Sequence, residues 1–510
     1  MKILYIPLDF QEWSKARHLT YCFSLGFEEG FRANRMEFVT IPTLCKDSSG
    51  MGQSTDSDVW LSKARSLCKG MQFDQVWVEA VHNPLSEDIL QWIAEAAPIR
   101  VAMVGESLEY DPEVKALHPH LMRRKLNVEK RLRYFTHGLV VDEVDAKDLA
   151  SRGIIKTFWY PSAVPEKFLA WDTVATPEKR ANFSGAVYGK RGGFLEDERF
   201  KGVFSQLPSP EAENGIAAQF DSLQNEFLTL IHSGKSIGWN HVSAYLRLLR
   251  AIRSESFRLW IRHLSRGSAV VNLPSYFQGY AGRVAEGISA GRPVISWDVQ
   301  NRPRNKALFE VGTEILLYHE DDRDALYAHI EKVLGDPLYA QAIAGRALRR
   351  VWRFHTMEKR IAQILAWMQS GVEPNFSEVN PVETIPQAIT AFEDCLAGRK
   401  TEVVIADGSS QDLSQLEHKS EQNPNDLKIH LALGALYLEN CDYQKAARSY
   451  LNAIKLGQND VETWLACARA GLGGGNAVVA RLALDGALRL EPYSQNAREL
   501  SVNLRVLQSS

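Results

Sequence analysis

The sequence predicts an α/β chain of two doubly wound halves, each a mostly parallel sheet covered on both faces, followed by an all-α repeat region. Three observations predict it. Short Val- and Ile-rich runs alternate with helical stretches from Lys2 to Tyr160, the alternation restarts after residue 180, and the residues beyond Pro424 repeat at a period of 34. At roughly 100–200 residues per domain, a chain of 510 residues suits about three domains.

In the first half, Lys2–Leu8 is a short apolar run ending at Asp9, and Phe23, Leu25, Phe27 and Phe31 carry a helical pattern behind it. Glu37–Pro42, Gln75–Glu79, Arg100–Gly105 and Gly138–Asp142 are further strand candidates. Each is separated from the next by helix or loop, as in a sheet buried on both faces. Ile154–Tyr160 is the last strand and runs into Pro161–Pro165, which reads as a hinge or linker.

In the second half, Arg180–Gly185, Ser268–Leu273, Arg292–Trp297 and Glu314–Tyr318 read as strands, and long helices are predicted over 241–265, 322–334 and 338–370. A helix ending at Ala290 has Gly291 as its C-terminal stop. Two halves, 1–168 and 169–371, with a cleft between them are the simplest arrangement.

Residues 372–384, with Pro374 and Pro381 among polar neighbours, have the composition of a linker. Over 385–510, His430, Leu433, Gly434, Tyr437, Ala446, Tyr450 and Ala453 align, 34 positions on, with Trp464, Cys467, Ala468, Gly471, Ala480, Leu484 and Ala487. The small residues let paired helices approach closely. This pattern resembles a tetratricopeptide array of two good repeats and a degenerate one, which implies a peptide- or protein-binding surface.

Composition excludes several classes. Apolar residues make up 45% and charged residues 24%, ordinary for a globular chain and unlike a disordered one. A net charge of −3 supplies no overall electrostatic drive towards nucleic acid, and the basic stretches Arg123–Arg133 and Arg247–Arg266 read as solvated helix faces. No run reaches the roughly 18 apolar residues of a membrane span. The six cysteines are far apart and lack a C-x-x-C pair, so neither a disulfide framework nor a zinc ribbon is indicated. A cytoplasmic location is expected.

The chemistry is concentrated between Ala269 and Glu314. A strand ending at Asn272 and Leu273 leads through the loop Pro274–Ala281 into the helix Gly282–Ala290. Ligands of open parallel sheets bind beyond the carboxyl ends of strands, so this loop faces the cleft. The helix N-terminus offers unpaired N–H groups and partial positive charge, a natural seat for a diphosphate. Arg283 opposes the helix dipole in the first turn, which is easier to understand beside a bound anion. Glu286, one turn on, is suited to accept hydrogen bonds from a ribose diol. The plainer alternative is a solvated Arg-x-x-Glu pair.

The run Tyr280–Ser296 followed by Leu308–Tyr318 resembles the group 1 glycosyltransferases of GT-B fold, closest to their bacterial spore-maturation-like subgroup. Asp336-Pro337 and Arg349–Thr356 are similar to that family's ending, where the last helix crosses back to the first domain. The resemblance implies two Rossmann-like domains facing a cleft, the first on the acceptor side and the second binding a nucleoside-diphosphate sugar. It implies further that Glu286 holds the donor ribose and that Arg283 lies near the diphosphate, without a bound metal or any cofactor. Asn272 and Gly282, at the two ends of the loop Pro274–Ala281, and Gln278 within it are further donor-binding candidates. Phe183–Arg191 resembles the loop after the first donor-domain strand, where Gly185 permits close backbone approach and Tyr188 and Arg191 are candidates to touch the nucleotide or diphosphate; a β-turn with surface charges is its alternative. Gln278 departs from the family: it stands where retaining members often carry a glutamate eight positions before Glu286, which leaves retention or inversion open.

Glu79, His82 and Glu106 follow first-half strands, and an inverting transfer needs a base there; His82 and Glu106 are the catalytic candidates, with loop side chains satisfied by backbone N–H as the alternative. Ser233–Ser236 lacks the glycine of a phosphate-binding loop, since Thr229 occupies that slot, although Lys235 remains a candidate for the diphosphate or else a solvated lysine. The expected activity is sugar transfer to an acceptor protein or glycan, with a protein partner on the repeats. The alternatives are a non-catalytic scaffold and a transferase acting on free or lipid-linked saccharide.

Overall fold

A computed structural model describes residues 1–7, 25–43, 55–83, 85–110, 119–170, 173–174, 176–207, 216–376, 413–440, 442–458, 460–474, 476–491, 494, 496–497, 500–501 and 504. The helical pattern at Phe23, most of the expected linker (377–384) and the start of the repeat region (385–412) lie outside them. The chain divides into two compact units, one of Met1–Leu246 with Ser256–Cys395 and one of Arg247–Glu255 with Leu396–Ser510.

The first unit holds both sheets. Its first half runs β1 (Lys2–Ile6), α1 (Phe27–Ala33), β2 (Glu37–Thr40), α2 (Thr55–Leu67), β3 (Gln75–Glu79), α3 (Glu87–Ala96), β4 (Ile99–Val104), α4 (Pro119–Leu132), β5 (His137–Val140), α5 (Glu143–Ser151) and β6 (Lys156–Trp159). The six strands are parallel in the order β2-β1-β3-β4-β5-β6. β3 is buried at every position, as a central strand covered on both faces must be.

The second half runs β7 (Glu178–Phe183), α6 (Arg191–Leu195), β8 (Phe204–Gln206), α7 (Ile216–His232), α8 (Trp239–Leu264), β9 (Gly267–Asn272), α9 (Gly282–Ser289), β10 (Val294–Trp297), α10 (Pro303–Lys306), β11 (Leu316–Tyr318), α11 (Arg323–Gly335), α12 (Pro337–Arg350) and α13 (Met357–Ser370). Its five parallel strands lie in the order β11-β10-β9-β7-β8. In each sheet the winding direction reverses beside the first strand, between β1 and β3 and between β7 and β9. Crevices that bind ligands open at such points. Gly291 has φ 70°, the left-handed stop expected after α9.

Two expectations are corrected. The single helix over 338–370 is broken: α12 ends at Arg350, a π-helical turn covers Val351–His355, and Thr356 in an extended conformation caps α13. A β-branched residue whose hydroxyl accepts from the Lys359 N–H favours a fresh start over continuation. Pro161–Pro165 is a packed crossover rather than a loose linker, since Ala163 and Val164 are buried and Val164 bridges to Thr356. β8 and α7 were not foreseen.

α13 leaves the second sheet domain and packs on α1 of the first. Asn34 Nδ2 donates to the Glu358 carbonyl at 3.0 Å, and the Glu166 N–H donates to the Glu358 carboxylate at 3.0–3.1 Å. The two sheet domains are thus laced by the chain's own return, as expected for GT-B. Among the described residues no helix is long and apolar enough to cross a membrane.

The described part of the second unit is helical: α14 (Leu413–Gln422), α15 (Leu427–Glu439), α16 (Tyr443–Lys455), α17 (Val461–Gly473) and α18 (Ala477–Leu490). α15 and α17 begin 34 positions apart, as do α16 and α18. Each opens on a short polar cap, Asp426, Asp442, Asp460 or Asn476, whose side chain accepts a backbone N–H. Ala446, Ala453, Ala480 and Ala487 are fully buried, as their alignment anticipates.

Candidate active site

Two clusters form at the carboxyl ends of the two sheets. In the second sheet domain, β7 ends at Phe183 and β9 at Asn272, flanking the reversal of winding. Asn272 is fully buried; its Nδ2 donates to Ser296 Oγ at 3.0 Å, which leaves Oδ1 to accept from Arg283 Nη1 at 3.1 Å. The Arg283 guanidinium lies over the Phe183 ring, 4.9 Å from its centroid, and directly against Gly185. A Cβ on Gly185 would displace that guanidinium, and the positive φ of 155° there also favours glycine.

Arg191 comes to the same place from the first turn of α6. Nε donates to the Pro274 carbonyl at 2.7 Å and Nη1 to the Ala186 carbonyl at 2.9 Å, while the guanidinium stacks 4.0 Å over Tyr188. Tyr188 in turn pairs with Tyr276 and shares a hydrogen bond with Ser275 at 2.8 Å. Neither arginine forms an ion pair among the described residues, and Arg283 Nε is buried without a hydrogen bond. Burial, and then the charge of Arg191, pull the Arg283 pKa down to about 10, with Glu286 opposing; burial also lowers that of Arg191. Two adjacent cations at a sheet's carboxyl edge thus stand without a carboxylate to neutralise them.

Glu286 is buried one turn along α9, and its Oε2 accepts from Trp260 Nε1 at 2.9 Å. The solvated Arg-x-x-Glu pair is therefore not what the fold builds. Gly282 opens the helix beside Glu286 Oε1.

At the first sheet's edge the charges are paired. Glu79, fully buried, accepts the N–H groups of Val81, His82 and Asn83 at 2.9–3.0 Å, a structural clasp on the loop after β3. His82 Nε2 lies 3.4 Å from Glu106 Oε1, and Arg124 Nη1 lies 3.8 Å from Glu106 Oε2 and 3.3 Å from the Tyr110 hydroxyl. Burial would raise the Glu106 carboxyl, but the hydrogen bond from His82 and the charges of Arg124 and His82 hold it below the usual carboxylate value. Behind this loop, buried Asp145 accepts the Leu108 N–H at 2.6 Å; burial and then neighbouring Asp142 push its pKa up to about 7.

The two clusters meet. Gln278 donates its backbone N–H to Ser107 Oγ at 2.8 Å, one residue beyond Glu106. Nearby, Arg302 forms a bidentate ion pair with fully buried Asp142 at 2.7 and 3.0 Å. The structure thus brings together Gly185, Tyr188, Arg191, Asn272, Gln278, Gly282, Arg283 and Glu286 on one side and His82 and Glu106 on the other. Lys235 is not brought in: it is exposed between α7 and α8, with no contact to either arginine among the described residues. Arg124, Tyr110, Tyr276 and Trp260 were not anticipated; only the basic run Arg123-Arg-Lys125 hinted at one of them.

Residues 222–366 match the family described as "Glycosyl transferase-like", a span that includes Asn272, Gln278, Arg283 and Glu286. Among solved structures, the chain is similar to a sucrose-phosphate synthase from Thermosynechococcus elongatus, at 15% identity and TM-score 0.47 over 72% of this chain and 98% of that one. It is also similar to Anabaena HepE in complex with UDP and glucose, at 14% identity and TM-score 0.42 over 72% of this chain and 100% of that one. A third is an alpha-glucosyltransferase in complex with UDP and DNA, at 12% identity and TM-score 0.44 over 72% and 99%. None of the curated proteins matches. Two doubly wound parallel-sheet domains whose last helix returns to the first make this a GT-B fold. The matched span lies within its second sheet domain.

Proposed function

We propose that the protein transfers a sugar from a nucleoside-diphosphate donor to an acceptor hydroxyl or amide. The observation that carries this reading is the pair of unneutralised arginines, Arg191 and Arg283, at the β7/β9 edge beside the α9 N-terminus. Such a pair is unfavourable in the empty protein and is relieved by a dianionic group. In this reading, charge developing on the leaving diphosphate is met by these guanidiniums and helix N–H groups, with no metal or cofactor required. Glu286, oriented by Trp260, accepts from the ribose diol. Glu106, held ionised by His82 and Arg124, faces the acceptor and takes its proton if transfer inverts the anomeric centre.

The finer reading is a bacterial, cytoplasmic enzyme of the spore-maturation-like subgroup, with α14–α18 as a tetratricopeptide domain that recruits a protein acceptor. The 34-residue spacing of helix starts and the buried alanines support the repeat assignment. Calorimetry with UDP, GDP, ADP and dTDP tests the donor site: one should bind, and Arg283→Ala should abolish that heat. Indistinguishable affinities in parent and variant would overturn the reading. Deleting residues 385–510 tests the acceptor assignment, which predicts loss of transfer to protein with donor hydrolysis retained.

A further inference from the structure

We propose that Ser107 and Asn305 are positioning residues for the transfer. They hold the middle of the donor loop, Gln278–Tyr280, in register with Glu106, so that the loop is fully shaped only while the two sheet domains are in contact. Their role in transfer rests on the activity proposed above.

The loop is anchored in two different ways. Its flanks are held from within the second sheet domain: Arg191 donates to the Pro274 carbonyl, Arg283 to Asn272, and Glu286 accepts from Trp260. Its middle is held across the domain boundary. The Gln278 N–H donates to Ser107 Oγ at 2.8 Å, and Ser107 is fully buried in the loop after β4, one residue past Glu106. Two residues on, the Tyr280 N–H donates to Oδ1 of buried Asn305 at 2.9 Å.

Asn305 belongs to α10 of the second domain, but its place is set by the first. The N-cap of α10 is Arg302, whose side chain makes no capping hydrogen bond. Glu143, which opens α5, fills that role from the other domain, its Oε2 accepting the Asn305 N–H at 2.7 Å. Beside it Asp142 takes Arg302 in a bidentate ion pair. Two consecutive carboxylates thus grip α10, and Asn305 passes the hold on to Tyr280. A backbone N–H shut away from water is costly to leave unpaired, so the loop completes its hydrogen bonding only against the first domain. The stretch lies between the Arg283 edge and Glu106, where the transferred sugar must pass from one to the other. A shift of about 1 Å at a reacting group can cost roughly a hundredfold in rate.

Hydrogen exchange on the full chain reads the relay whatever the protein catalyses. The peptide containing Gln278–Tyr280 should lose protection in Glu143→Ala and in Asn305→Ala, while one covering β9 keeps its own. The kinetic test uses whichever of a panel of UDP-, GDP-, ADP- and dTDP-sugars the parent turns over. Ser107→Ala and Asn305→Ala should each lower kcat about ten- to a hundredfold. Affinity for the matching diphosphate, read by calorimetry, should stay within about threefold, because Arg191, Arg283 and Glu286 keep their own anchors. Parent-like kcat in both variants, or unchanged exchange in Glu143→Ala, would overturn the proposal and leave the donor site standing. Equal loss of kcat and diphosphate affinity would mean that the two residues only support the fold, and would overturn it too. A parent inert towards every donor would fail the transferase reading itself, and the positioning role with it.

Discussion

The two carboxyl-end clusters are built alike and charged oppositely. Each stands at the loops after parallel strands, yet at the first sheet every charge has a partner, Glu79 on backbone amides and Glu106 between His82 and Arg124. At the second sheet Arg191 and Arg283 rest on neutral oxygens of Pro274, Ala186 and Asn272, with no carboxylate at ion-pair distance among the described residues. Paired charges fix where a side chain stands and keep a carboxylate ionised at rest, the form in which a general base must begin. Unpaired buried charge is a cost carried for a ligand. On the proposed function, acid–base work falls to one edge and anion capture to the other.

The strongest way to break that division is Glu106→Gln, which keeps the shape of the side chain and removes its basicity. If Glu106 is the base, kcat for transfer falls by about 10²–10⁴ while nucleotide affinity, read by calorimetry, stays within experimental error. Equal loss of both would erase the distinction between the edges. Next is Arg283→Met. Nucleotide affinity should drop roughly ten- to a hundred-fold, the worth of charged hydrogen bonds of about 1.5–3 kcal/mol, while Tm without nucleotide holds or rises because a buried cation is gone. A fall in both would mean that the arginine is structural. Gly185→Ala sharpens the same edge: its Cβ displaces the Arg283 guanidinium, so denaturant titration should show a loss of about 1–3 kcal/mol, with weaker nucleotide binding.

A further test concerns pH. Asp145 has a folded pKa near 7, raised chiefly by burial, against an unfolded value of about 3.9. The folded state therefore binds the proton more tightly. The stabilisation is fully present below the unfolded value and is lost as pH rises through about 7. Asp145→Asn, whose amide oxygen can still accept the Leu108 N–H, should flatten the stability profile between about pH 4 and 7. An unchanged slope would show that the Asp145 carboxyl does not bind its proton more tightly in the folded state.

Much of the second-sheet edge was legible in the sequence because strand, loop and helix follow one another without a break. Asn272, Gln278, Arg283 and Glu286 need only one turn of geometry to be placed together. His82 and Glu106 were legible as residues just past strand ends, although nothing local said that they touch. The rest depended on distant contacts. Trp260 reaches Glu286 from the end of a different helix, and Arg124 approaches Glu106 from a basic run in which Arg123 is exposed while Lys125 pairs with Glu109. Lys235 misled because a Ser-Gly-Lys-Ser string has the local composition of a phosphate loop without the fold around it. The break at Thr356 was hidden because neither proline nor glycine stands between Ala347 and Ser370 to mark it.

The returning helix α13 has a practical consequence for anyone dissecting the chain. A cut at residue 168 would strip α1 of the surface that Glu358 and its neighbours cover, so the first lobe expressed alone would present bare apolar area and aggregate. Chimaeras that exchange lobes should therefore graft 357–370 together with 1–168, treating as one piece what the linear order separates.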